Sequence, residues 1–267
     1  MKRITLFLLS ICMLHFANAQ TAKPVAKKTL KKVMEFVMPG EDGSNGGSVA
    51  YHPTFKKYYI PMVGNASYPL ATFDAKGKLL DEQVAGNDLR GLWYNPKTKK
   101  VEGNCYNDGG WVAYKLNAKG EINNTTETLH EGMKQPIDQS VGVYNSKADK
   151  VYFLTTTGVS IYNMDAQEEK TMDLKTAKDA DPLIFDNDNE YYNTTSLIYT
   201  GLPKAEIGLL NVLDKKIELF NGVTGIKTTE WILPDTVAEL KQSFNFAYCN
   251  GMVWLFDKEN RKWVVYK

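Results

Sequence analysis

The sequence predicts an all-β chain closed into a β-propeller, with five four-stranded blades expected and six as the alternative. Three observations predict it. An apolar residue followed by Asp or Asn recurs in FDAKGK at 73–78, LNAKGE at 116–121, MDAQEE at 164–169, VLDKKI at 212–217 and FDKENR at 256–261. The marked residues, Asp74, Asn117, Asp165, Asp214 and Asp257, are spaced 43, 48, 49 and 43 apart, within the period of radially repeated sheets. Upstream of each lies a short apolar run ending in an aromatic and a turn former: SVAYHP at 48–53, GLWYNP at 91–96, VGVYNS at 141–146, PLIFDN at 182–187 and, more weakly, NFAYCN at 245–250. Between these landmarks, β-branched and aromatic runs bounded by Asn, Asp, Gly and Pro read as short strands joined by tight turns.

From the N-terminus, residues 1–19 are expected to be a signal peptide. Lys2 and Arg3 supply positive charge, 4–16 is a mostly apolar run too short to span a bilayer, and Ala17-Asn18-Ala19 gives a small-x-small cleavage pattern. Cys12 sits inside the apolar run behind Ile11, a context unsuited to a lipid anchor. Residues 20–30 read as a Lys-rich solvated tether, and 31–267 as a single propeller domain. KKVMEFVM at 31–38 is an orphan strand, whose expected role is to complete the last blade beside the strand ending at Tyr266, removing an open edge.

Strands are expected in the first blade at 48–51, 57–62, 69–73 and 78–84. In the second they fall at 91–94, 100–105 and 111–116, in the third at 141–144, 150–155 and 158–164, and in the fourth at 182–185, 190–196, 206–213 and 216–220. Five blades allow roughly 47 residues each, a usual length, against about 39 for six. The fifth blade departs from the template, since Tyr248 precedes Asp257 by nine residues, against 23 for the matching pairs in the first two blades. Either FDKENR is a different hairpin of that blade, or its inner strand lies nearer Trp231. A helical turn is expected only at 236–242.

A net charge of +1, without a basic stripe interleaved with aromatics, points away from nucleic acid and from acidic membranes. After 1–19 no apolar run reaches a membrane-spanning length, so no membrane insertion of the mature chain is expected; a monomer is expected as well. Cys105 and Cys249 fall in the second and fifth repeats, which are not neighbours in a five-membered ring, so two buried free thiols are expected rather than a disulfide.

RGLWYNPKTKK at 90–100, followed by apolar strands and LNAKGE, resembles the repeats of NHL-type and related propellers. There a Gly-apolar strand ends in Asp/Asn-Pro and a later strand ends in Asp-x-x-Gly-Lys. The resemblance runs well over 48–165 and loosely beyond. It implies the fold and an exported bacterial propeller, and it is nearly silent on chemistry.

The candidate site comes from a polar column six positions before each strand-ending aromatic: Asn45, Asp88, Asp138, Asp179 and Gln242, with Asp42 and Asp181 nearby. These lie in connections entering successive inner strands, which converge at one mouth of the axial channel. Oxygen-rich side chains there could hold a hard cation such as Ca²⁺ or hydrogen-bond a sugar or peptide. The structural alternative is that Asp and Asn cap each turn, which recurrence favours. Tyr68, Trp111 and Tyr199 are expected on the same face as aromatic platforms, with Trp111 alternatively packed between blades.

His52 takes the turn position of Asn95, Asn145 and Asp186 and serves either that turn or a ligand. His130, alone in a polar stretch, has no metal-ligand spacing. The Gly-rich 40–47 is a flexible connection in preference to an anion cradle, and no nucleophile elbow is present.

The expected function is therefore a non-catalytic binding or scaffolding propeller of the periplasm or cell exterior. It would take a protein, peptide or carbohydrate ligand at one mouth, without a cofactor. The first alternative is a metal-dependent hydrolase resembling the gluconolactonase-like propellers, whose inner strands supply a Glu, an Asn and an Asp to a divalent ion. Asn145 and Asp186 are the counterparts here, while 48–51 carries no Glu and Glu35 on a displaced strand would have to substitute. The second is a propeller glycosidase with paired carboxylates among Asp42, Asp138 and Asp179.

Overall fold

The computed structural model describes residues 25–186 and 188–267. The expected signal peptide, its cleavage after Ala19 and residues 20–24 of the expected tether lie outside them. The described chain forms five antiparallel blades around an axis.

Two strands precede the first blade: β1 (Ala26–Thr29) and β2 (Lys32–Val37). Blade I begins with β3 (Asn45–Gly46) and β4 (Ala50–His52), both paired to β5 (Lys57–Val63), then β6 (Pro69–Asp74) and β7 (Leu79–Val84). Blade II holds β8 (Leu89–Asn95), β9 (Lys100–Cys105), β10 (Trp111–Leu116) and β11 (Ile122–His130). Blade III holds β12 (Val143–Asn145), β13 (Lys150–Leu154), β14 (Gly158–Asn163) and β15 (Glu168–Asp173). Blade IV holds β16 (Ile198–Tyr199), β17 (Ile207–Asn211), β18 (Lys216–Phe220) and β19 (Lys227–Ile232). Blade V takes β20 (Phe246–Cys249), β21 (Met252–Asp257) and β22 (Lys262–Tyr266) from the C-terminus.

The N-terminal strand closes the ring as expected. β2 pairs antiparallel with β22, from Lys32↔Tyr266 to Val37↔Lys262, and becomes the outer strand of blade V. β1 adds something the sequence reading missed: part of the expected tether pairs in parallel with β19, from Ala26↔Thr229 to Thr29↔Ile232. Consecutive N-terminal strands thus fasten two adjacent blades.

Each sheet is apolar on both faces because it is wedged between neighbours, so adjacent residues feed different cores. Tyr58 belongs to the core shared by blades V and I, with Phe36, Trp254 and Trp263, whereas Tyr59 belongs to that of blades I and II. Likewise Leu209 faces blade III and Leu210 faces blade V. Aromatics dominate these wedges, and each buries on the order of 150–250 Å².

Turn chemistry explains the recurring mark. Asp74 Oδ1 accepts the N–H groups of Lys76 (2.8 Å) and Lys78 (2.9 Å) while Gly77 takes φ +87°. Asn117 does the same for Lys119 and Glu121. In blade III the role falls to Asn163, which accepts from Asp165 and Gln167; Asp165 is two residues out of register.

In blade IV the expected frame slips by one strand. VLDKKI joins β17 to β18, the second and third strands, and Asn211 accepts the Asp214 N–H there. PLIFDN is no inner strand. Its Phe185 anchors the long connection at 174–197, bonding Thr156 through its N–H and packing edge-on to Tyr192 at 5.4 Å. A buried aromatic in a short apolar run reads the same in sequence whether it belongs to a strand or pins a loop. FDKENR likewise joins β21 to β22, the different hairpin anticipated for blade V. The expected helical turn at 236–242 does not form; a 3-10 turn occurs instead at Asn107–Gly109.

Candidate functional site

The inner strands run parallel around the axis and end in equivalent turns. At one end of the channel they are packed shut. Asn104 Oδ1 accepts the N–H groups of Gly91 (3.0 Å) and Gly142 (2.9 Å), joining blade II to blade III. A Cβ at Gly91 would lie 2.4 Å from that oxygen, so only glycine permits the approach. Asn193 Nδ2 donates to the carbonyls of Lys241 and Phe244, and the Gly46 N–H donates to Asn245 Oδ1. Arg90, 4% exposed, completes the closure. Its guanidinium pairs with Asp88 at 2.5 Å, donates to Gln139 at 2.8 Å, and lies over the rings of Tyr106 (4.6 Å) and Phe244 (5.5 Å).

Just inside this plug begins a cavity of about 580 Å³. Ser48, Leu92, Val141 and Phe246 line its inner part, and it opens at the opposite end of the channel. The rim is a ring of five tyrosines, one at the end of each blade's inner strand: Tyr51, Tyr94, Tyr144, Tyr199 and Tyr248. All five are half-buried.

Each tyrosine leans on a second ring. Tyr94 lies 4.1 Å from His52, Tyr144 stacks on Trp93 at 6.2 Å, Tyr199 meets Tyr152 edge-on at 5.3 Å, and Tyr248 lies 6.0 Å from Trp231. In these four the supporting ring comes from the preceding blade. Tyr51 rests at 4.7 Å on Tyr58, which itself packs on Trp254 of blade V. Burial raises the phenol pKa of Tyr94, Tyr199 and Tyr248, and burial together with the neighbouring Asp149 carboxylate raises that of Tyr144. These hydroxyls therefore stay protonated and keep both donor and acceptor capacity. Tyr144 donates to Asp149 at 2.7 Å. Among the described residues, Tyr51, Tyr94 and Tyr248 have no protein hydrogen-bond partner for their hydroxyls.

The residues expected to form a site are scattered by comparison. Asp88 is spent on Arg90 and on the Gly64 N–H. Asp138 lies in the connection into blade III, where its carbonyl accepts from Asn107 and Gln135. Asp42 and Asp179 are exposed on connections at the closed end. Tyr68 is half-buried beside Gly43 and Gly64. Trp111 is no platform: it is fully buried among Trp93, His130 and Phe153, and its Nε1 donates to the Lys134 carbonyl. His52 is buried, its Nδ1 accepts weakly from the Phe55 N–H at 3.4 Å, and burial lowers its pKa. His130 bonds the Met164 carbonyl.

The counterparts suggested for a metal do not converge. Asn145 Oδ1 accepts the N–H groups of Lys147 and Ala148, and its Nδ2 donates to Tyr152. Asp186 is exposed on the long connection, where it accepts the Asp188 N–H. Glu35 lies on the outer strand of blade V, held below the usual carboxylate range by Lys32 and Lys262. Among the described residues no three His, Cys, Asp or Glu side chains gather as metal ligands would. Cys105 and Cys249 are free and buried, and burial pushes the Cys105 thiol up to about 12.

Sequence reading missed the tyrosine ring as a site although it had marked four of the five members as strand ends. The fifth, Tyr199, was expected at the other mouth, because PLIFDN had taken its place as the fourth inner strand.

No protein-family model and no curated protein matches the sequence. Among solved structures, the chain is similar to the glutaminyl cyclase of Myxococcus xanthus, with a TM-score of 0.57 at 9% identity over 92% of this chain and 98% of that one. A functionally unknown protein of Desulfotomaculum acetoxidans aligns at a TM-score of 0.48 and 11% identity, over 72% and 73% of the two chains. At such identities the likeness to the cyclase establishes the β-propeller fold and carries no chemistry with it.

Proposed function

We propose that this chain is an exported, non-catalytic carbohydrate-binding propeller that takes the end of a sugar chain into its tyrosine-rimmed cavity. The observation that carries this reading is the ring itself: five half-buried tyrosines around one cavity closed at its inner end. Phenol faces pack against the C–H faces of a pyranose while their hydroxyls hydrogen-bond its rim, and the rings order at little entropic cost. Ser146 and Asn250 add polar groups at the same rim. A blind cavity admits a terminus; an extended peptide is better served by a sheet edge or a long groove.

The lining contains no carboxylate, which supports recognition over glycoside hydrolysis, where two carboxyl groups must flank the bond. The positions of Asn145, Asp186 and Glu35 favour it over the metal-dependent hydrolase in the same way.

The test is a glycan-array screen of the purified protein followed by titration calorimetry. Saccharide binding that falls at least tenfold in Tyr94→Ala and Tyr248→Ala, with circular dichroism unchanged, is the expected result. Absence of saccharide binding, or binding that survives both substitutions, overturns it.

A further inference from the structure

The net charge of +1 conceals an uneven distribution. The turns joining first to second strands surround the open mouth, and in blades I to IV they carry Lys56, Lys97, Lys99, Lys147 and Lys204. Their acids are Asp149, paired with Lys97 at 2.7 Å, and Glu206, which accepts the N–H groups of Lys204 and Gly222. Among the described residues Lys56, Lys99, Lys147 and Lys204 make no ion pair, and all four are exposed. Lys147 lines the cavity itself. The connections at the closed end carry Asp42, Asp88, Asp138, Asp179, Asp235 and Glu239, interspersed with bases, of which Arg90 pairs with Asp88 and Lys241 with Glu239.

Resting on the carbohydrate reading, we infer that the ligand is an acidic polysaccharide bearing carboxylates, a uronate chain. Its terminal ring enters the tyrosine cavity with its carboxylate at Lys147, and the following units lie on the surrounding lysines. A cationic mouth on an otherwise near-neutral protein steers an anionic chain toward the cavity and orients the molecule as it approaches. The cations are lysines, point charges suited to carboxylates spread along a flexible chain. The described arginines, Arg90 and Arg261, whose forks suit phosphate or sulfate bidentately, belong to the closed side, where Arg90 bonds Asp88 and Arg261 bonds the carbonyls of Pro39 and Glu41. Single-stranded nucleic acid would need stacking rings set out along a groove, whereas these five stand around one hole.

The experiment compares a uronate oligosaccharide, a neutral oligosaccharide of equal length, a sulfated one, a single-stranded oligonucleotide and anionic vesicles, at low and high salt. The wild-type protein is expected to prefer the uronate oligomer by at least tenfold, with affinity falling as salt rises. Lys147→Gln should weaken uronate binding by about five- to tenfold and leave the neutral oligomer unchanged. Joint replacement of Lys56, Lys99 and Lys204 by Gln should reduce the salt dependence to what Lys147 alone supplies. Equal binding of neutral and acidic oligomers, with no effect of Lys147→Gln, overturns the acidic-ligand inference and leaves the carbohydrate reading standing. Binding of no saccharide defeats both. Preference for the sulfated oligomer, the oligonucleotide or the vesicles also overturns the inference.

Discussion

Asn104 and Gly142 belong to different blades, yet the side-chain oxygen of the first accepts the backbone N–H of the second at 2.9 Å. The same side chain bonds the Gly91 N–H, the Gln135 side chain and the Ser140 carbonyl, and it is fully buried. One amide therefore satisfies both donors and acceptors where the backbone of Gly91 and Gly142 comes so close that a Cβ at Gly91 would lie 2.5 Å from the Gly142 carbonyl oxygen.

Asn104→Ala should consequently be costly for its size. It leaves two buried N–H groups and two acceptors without partners, each costing about 1–3 kcal/mol, so a loss of at least about 4 kcal/mol is expected. Urea unfolding of the variant against the wild type measures it.

Ring closure depends on Phe36 and hardly on its charged neighbour. Phe36 is fully buried and contacts Tyr58, Phe73 and Trp254 at ring distances of 5.2, 5.4 and 4.6 Å, uniting blades V and I. Phe36→Ala should cost about 3–5 kcal/mol. Glu35→Gln, which breaks exposed pairs to Lys32 and Lys262, should cost less than about 1 kcal/mol. Parallel denaturation curves separate the two.

His52 makes stability pH-dependent. Burial lowers its folded-state pKa below the ordinary 6.5, so between the two values the unfolded chain binds more protons. Its contribution is complete above about pH 6.5 and is lost as pH falls through the lowered folded value. His52→Asn keeps the turn chemistry of Asn95 and Asn145 and should flatten that slope. Unfolding midpoints measured from pH 7.5 down to pH 5 on both proteins test this.

Trp111 tests the division between core and site. Trp111→Phe removes the bond to the Lys134 carbonyl and leaves a small cavity, for an expected loss of about 1–3 kcal/mol. Saccharide affinity in the folded variant should match the wild type, since Trp111 does not line the cavity.

The landmarks legible in sequence were those fixed by local chemistry. Asp74 and Asn117 announce their hairpins because an Asx side chain bonds backbone within four residues. The runs ending at Tyr51, Tyr94, Tyr144 and Tyr248 announce inner strands because a strand between two blades is apolar on both faces. Where a loop residue borrowed the same pattern, as Phe185 did, the reading slipped by a strand and carried the fourth tyrosine with it. The polar column of Asn45, Asp88, Asp138, Asp179 and Gln242 was expected around an open mouth, whereas Asp88 bonds Arg90, and Arg90 with its partners fills that end.

By itself, then, the sequence determined the repeat and the all-β class and favoured five blades over six with closure by the N-terminal strand, all of which follow from turn residues and periodicity acting over short distances. Only the tertiary structure decided which mouth is open and which side chains meet there. Tyr51 and Tyr199 are separated by most of the chain, and nothing local couples them. They share a rim because five wedge-shaped sheets can bury both faces only by closing a circle, and that closure sets the end of every inner strand around one axis.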